Sequence, residues 1–146
     1  MKLFRNRILP IAALGLFAIC ANASQAAAQS VQGSFTLPNE VRWQSARLPA
    51  GDYAFSMNST AMPNRMIVTG PNGPAFVLTV ASSKSDAGQQ SFLIIERRGV
   101  GRFVRELYLA EIGLHLRYSV PNVPKEEVLA QGPTSTEQVL VAMAGK

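Results

Sequence analysis

Residues 91–119, SFLIIERRGVGRFVRELYLAEIGLHLRYS, constrain the fold more than any other stretch. Two β-patterned runs flank Gly99-Val100-Gly101, and Leu114-His115-Leu116-Arg117-Tyr118-Ser119-Val120 follows with strict alternation, as a third antiparallel strand with one wet face would. With Val100-Gly101 as a two-residue loop, Gly99 faces Arg102, Glu96 faces Arg105, Ile94 faces Leu107 and Phe92 faces Leu109. This register places an ion pair near the turn and two apolar pairs behind it, each worth about 0.2–1 kcal/mol. The other face then carries Leu93, Ile95, Val104 and Tyr108, so both faces of the hairpin are partly apolar. Such a pair sits inside a closed barrel or sandwich, or hides its second face against a partner.

The first residues are set apart from this fold argument. Met1-Lys2-Leu3-Phe4-Arg5-Asn6-Arg7 is basic, residues 8–20 form a short apolar run, and small residues follow at 21–28. This is the pattern of a secretory signal peptide over 1–26, cleaved somewhere in 23–28. The run is shorter than the about 20 residues of a membrane span, so no membrane span is expected. Ile19 before Cys20 does not suit lipoprotein processing, and removal of Cys20 leaves neither disulfide nor thiolate metal site. Lys2, Arg5 and Arg7 leave with the leader, so eleven basic residues face nine acidic ones, a net +2. That balance lacks the basic footprint of a nucleic-acid binder. What remains, 30–146, is read as a single β-domain, located in the periplasm or outside the cell.

Along that domain, Ser34-Phe35-Thr36-Leu37 and Glu40-Val41-Arg42-Trp43-Gln44 alternate as strands. Leu48-Pro49-Ala50-Gly51 is a tight turn into Tyr53-Ala54-Phe55-Ser56-Met57, with Tyr53, Phe55 and Met57 facing the core. Residues 58–64 form a loop, 65–69 a strand, and Gly70-Pro71-Asn72-Gly73-Pro74 a hairpin connection. The almost continuously apolar 75–81 reads as a buried strand, and 82–90, with Ser82-Ser83-Lys84-Ser85, as a solvated mobile loop. Residues 125–129 have the makings of one helical turn, and 134–146 is read as a closing strand in preference to a helix. The sum is an all-β fold, a single antiparallel β-barrel or β-sandwich of about 7–9 short strands.

Catalytic patterns are sparse. His115 is the only histidine and falls on the polar side of its strand, where it reads as an exposed strand residue. Neither a nucleophile elbow, a zinc-binding helix motif nor a phosphate loop occurs, and no cofactor or metal is implied. Glu96 and Glu106 lie on the two arms of the hairpin, but arginines around them make structural ion pairs the simpler reading. Aromatic residues beside arginine give the candidate binding residues: Trp43 with Arg42, and Tyr108 with Arg105, joined by Leu93 on the second apolar face.

The strings Phe35-Thr36-Leu37-Pro38, Val41 and Trp43, then Leu48-Pro49-Ala50-Gly51-Asp52-Tyr53, then Phe76-Val77-Leu78-Thr79, then Arg97 to Arg102 carry a resemblance. Together they resemble a family of small exported β-proteins, functionally uncharacterised and abundant in acidobacteria, with an L-P-A-G-[DE]-Y motif. The resemblance covers most of 30–146, implies an exported β-domain and supplies no activity. The expectation is a non-enzymatic envelope or extracellular β-module that binds an unknown protein or envelope component, or associates as a homo-oligomer. Two alternatives are a lipocalin-like carrier whose barrel holds a small apolar ligand, and a hydrolase using Glu96 or Glu106.

Overall fold

The computed structural model describes residues 30–86, 88, 90–122 and 134–145. The expected leader and the turn at 125–129 lie outside them. The strands are β1 (Val31–Leu37), β2 (Val41–Trp43), β3 (Ala46–Leu48), β4 (Gly51–Met57), β5 (Arg65–Gly70), β6 (Gly73–Leu78), β7 (Ala81–Lys84), β8 (Ser91–Arg98), β9 (Gly101–Leu109), β10 (Leu114–Arg117) and β11 (Ser135–Met143). The helical content among the described residues is one 3-10 turn, Ala110–Ile112. All strands join one sheet in the order β3-β2-β9-β8-β11-β1-β4-β5-β6, with β10 between β9 and β7. Every ladder is antiparallel except a short parallel contact in which Arg42 of β2 meets Phe103 of β9.

The sheet curls into a nearly closed barrel because β6 and β7 are halves of one run that changes partners between adjacent residues. The Thr79 amide donates to the Asn64 carbonyl at 3.1 Å, extending the β5 ladder, and the next amide, Val80, donates to the Arg117 carbonyl at 2.8 Å, opening the β10 ladder. One gap remains, between the β2–β3 hairpin and β6. There the Gln44 side-chain amide substitutes for a strand: Nε2 donates to the Leu78 carbonyl at 2.6 Å and Oε1 accepts from the Leu78 amide at 2.9 Å. Gln44 sits in the two-residue β2–β3 turn with φ of 57°, a conformation glutamine rarely adopts.

The central hairpin differs from its expected register. Its loop is Gly99-Val100, with Arg98 opposite Gly101, because Gly99 takes the left-handed φ of 58° at no steric cost. From there Ile95 faces Val104, but Ile94 faces Glu106, leaving Arg105 unopposed in a β-bulge. The bulge flips the parity of the second arm. Leu93, Ile95, Val104, Leu107 and Leu109 therefore all point inward, where each is at most 1% exposed. The two apolar faces of the sequence reading are one inner face and a thinner outer row of Phe92, Ile94 and Tyr108.

Three further elements correct the sequence reading. Ala46–Leu48 is a strand of its own, pairing with β2. Residues 82–84 are not loop but part of β7, held by β10. The 75–81 run is buried on one face only: Val77 and Thr79 point inward, while Phe76, Leu78 and Val80 are more than half exposed. The closing strand at the C-terminal end is present as β11, between β8 and β1.

The interior is filled by Phe35, Trp43, Tyr53, Phe55, Met57, Met66 and their aliphatic neighbours. Phe35 stacks on Tyr53 at 5.6 Å and Trp43 meets Tyr118 edge-on at 5.0 Å. The Leu48-Pro49-Ala50-Gly51-Asp52-Tyr53 string acquires a physical reason here. The Tyr53 hydroxyl donates back to the Pro49 carbonyl at 2.7 Å, clasping the turn it follows. Its ring lies on Gly70, where a Cβ would come within 2.0 Å of Cε1.

Candidate functional site

The outer face of β7, β10, β9 and β8 carries one connected polar and aromatic network. Register sets its rows. Ser83 faces His115, His115 faces Tyr108, and Tyr108 faces Phe92, so side chains from four strands stand side by side. The Tyr108 ring stacks between Phe92 at 4.7 Å and His115 at 4.1 Å. In the next row Glu106 accepts from the Tyr108 hydroxyl at 2.8 Å and lies 3.1 Å from His115 Nε2. The other imidazole nitrogen, Nδ1, is 3.2 Å from the Ser83 hydroxyl. His115 is thus gripped at both nitrogens and on one face, with a side chain only 16% exposed, and is not the open strand histidine expected from alternation.

Glu106 also meets Arg105 Nε at 3.5 Å and Arg117 Nε at 3.9 Å, which ties this network to a second carboxylate. Glu96, 2% exposed, accepts from Arg105 Nη1 at 2.8 Å and from Arg98 Nε. Burial alone would raise the Glu96 carboxyl, but the hydrogen bonds and charges of Arg98 and Arg105 outweigh it and hold the group below its ordinary value. The Tyr108 hydroxyl is raised, first by burial and then by its bond to Glu106. Beside this pair of carboxylates lies a groove of about 340 Å³ whose lining includes Val80, Arg98, Arg105 and Arg117.

Of the residues singled out from sequence, the structure brings Tyr108 and Arg105 together through Glu106. Trp43 and Leu93 are fully buried in the core and offer no surface to a partner, which corrects their assignment to binding. Arg42 points to the opposite side of β2 from Trp43, into a different groove shared with Arg47, Arg102 and the hairpin tip. Sequence reasoning missed Ser83, because β7 reads as linker, and missed the exposed stripe of Phe76, Leu78 and Val80, because an unbroken apolar run conceals which residues face out.

Chemically, the Ser83, His115 and Glu106 chain is a hydrogen-bonded relay of the kind that activates a serine. Its serine nevertheless stands on a strand whose four residues are all exposed, and both glutamates are engaged by cations. Among the described residues no three His, Cys, Asp or Glu side chains are placed to hold a metal, and no helix is long and apolar enough to cross a membrane. No protein-family model, curated protein or solved structure matches the chain.

Proposed function

We infer that this chain is an exported, non-enzymatic β-barrel module of the cell envelope or extracellular space, acting by binding a partner or a second copy of itself through its outer surface. The observation that carries this reading is the stripe on β6 and its continuation. Phe76 is 55% exposed, Leu78 56% and Val80 60%, three large apolar side chains at alternate positions of one edge. Folded chains rarely leave such residues contiguous and uncovered unless something covers them. Pro74, which has no amide to donate, and the Gln44 clasp on Leu78 block much of the backbone edge, so side chains rather than ladder extension would make the contact. The filled interior gives the carrier reading little room, and the ion pairs around Glu96 and Glu106 leave the hydrolase reading without a free carboxylate.

Light scattering after size exclusion, together with photo-crosslinking from position 78 in the host, tests this. The wild type is expected to assemble or to capture a specific partner, and a folded Phe76→Lys, Leu78→Lys variant to lose both. A strictly monomeric wild type that crosslinks to nothing would overturn the proposal.

A further inference from the structure

Among the described residues, the groove beside β7 brings together three guanidiniums, Arg98, Arg105 and Arg117, and two carboxylates, Glu96 and Glu106, one positive charge more than negative. The arrangement is also pre-set. Buried Glu96 anchors Arg98 through Nε and Arg105 through Nη1, and Arg98 Nη1 reaches the Pro121 carbonyl at 3.4 Å. The remaining terminal nitrogens of Arg98, Arg105 and Arg117 have no hydrogen-bond partner among the described residues, and the Arg117 side chain is 55% exposed. Arg98 and Arg105 are thus held in place with a terminal nitrogen left to donate, and Arg117 keeps both of its terminal nitrogens, a set of donors suited to the oxygens of a carboxylate or a phosphate.

The same groove has an apolar wall of Val80, Ala81 and Val120. Val80 is the last residue of the exposed stripe, so an apolar track runs from Phe76, whose ring carries the Arg65 guanidinium at 5.1 Å, through Leu78 into the cationic groove. At about 3.3 Å per residue, that track is about 13 Å long. We propose that the groove binds an anionic amphiphile, its carboxylate or phosphate head held by Arg98, Arg105 and Arg117 and its apolar chain lying along Val80, Leu78 and Phe76. The inference rests on the stripe being a binding surface, and adds the chemistry of what occupies it. A neutral chain would leave the excess charge unmet, and a small inorganic anion would leave the stripe bare.

Isothermal titration of the purified protein with octanoate, octyl phosphate, octan-1-ol and acetate separates these contributions. Octanoate or octyl phosphate is expected to bind at least about tenfold more tightly than octan-1-ol and than acetate, each tenfold step being about 1.4 kcal/mol. The stronger of the two identifies the head group. Arg117→Gln, an exposed change that leaves the Glu96 pairs intact, should weaken the anionic ligands about tenfold and leave octan-1-ol unchanged. Val80→Ser should weaken the eight-carbon ligands and leave acetate unchanged. Equal affinity for octanoate and octan-1-ol, or an Arg117→Gln variant that is folded and binds like wild type, would overturn the head-group assignment. Octanoate failing to bind while position 78 crosslinks to a protein would overturn the amphiphile and leave the stripe as a protein-docking surface.

Discussion

Of the described charged residues Glu96 alone is buried, and its surroundings explain why it stays ionised. Replacing it with glutamine keeps the shape and removes the charge from two hydrogen bonds, a loss of about 1.5–3 kcal/mol at neutral pH. Because folding lowers this carboxyl below its ordinary value of 4.5, its contribution is complete above that pH and fades as acid protonates the folded form. Urea titrations of wild type and Glu96→Gln from pH 7 to pH 3 should therefore show a stability gap that is constant above pH 4.5 and narrows towards the acid end. A gap independent of pH would sink the ion-pair account. The Ser83 and His115 contact makes a second residue-level test. A non-enzymatic role predicts that a fluorophosphonate ester leaves Ser83 unlabelled under conditions that label a serine hydrolase, as intact-mass measurement would show. Adduct formation at Ser83 that disappears in His115→Ala would instead establish an activated serine. Neither residue stood out in the sequence as part of a pair, since the 32 positions separating them are bridged only by the β7–β10 ladder.

At the scale of elements, the hairpin explains both what could be read and what could not. Strand character, turn position and the partnership of Glu96 with Arg105 follow from local pattern and charge. The loop itself and the bulged Arg105 do not, because a one-residue slip costs nothing locally and exchanges inside for outside across the whole arm. What decides between the registers is tertiary: five aliphatic side chains reach one core only if Arg105 is skipped. The Pro49 to Tyr53 clasp was legible as a turn, whereas the role of Gly70 beneath the Tyr53 ring needed the fold. Gly70→Ala should destabilise the protein by about 1–3 kcal/mol through overpacking, and a Gly70→Ala, Tyr53→Leu double variant should recover part of that loss. Additive losses in a urea-denaturation cycle would show that the ring and the glycine are not coupled. For the β2–β3 turn, Gln44→Ala should speed hydrogen exchange at the Leu78 amide at least about tenfold, with little change at the Met66 and Val77 amides inside the β5–β6 ladder. Unchanged exchange at Leu78 would mean that Gln44 does not secure it.

The described residues form one continuous sheet wrapped around one core. Loss of Trp43 fluorescence and loss of far-ultraviolet β signal should accordingly share one urea midpoint. Two separated midpoints would divide the barrel into independently stable portions. An antiparallel barrel or sandwich was within reach of sequence as a class, since many short strands at close spacing imply one or the other, but the choice of a barrel was not. The actual joint was not, because it depends on one pair of neighbouring residues, Thr79 and Val80, bonding in different directions. The candidate site was legible to the same partial degree. Tyr108 and Arg105 belong to it, but its cations come from β8, β9 and β10 and its apolar track from β6, a gathering that no stretch of sequence contains. Elsewhere in this sheet strands are held by main-chain atoms, which every residue except proline supplies alike. Where Gln44 spans the remaining gap, by contrast, the bond is written in a side chain. The tightness of that seam can therefore drift with a single codon, and position 44 is where evolution could loosen the barrel without touching its core.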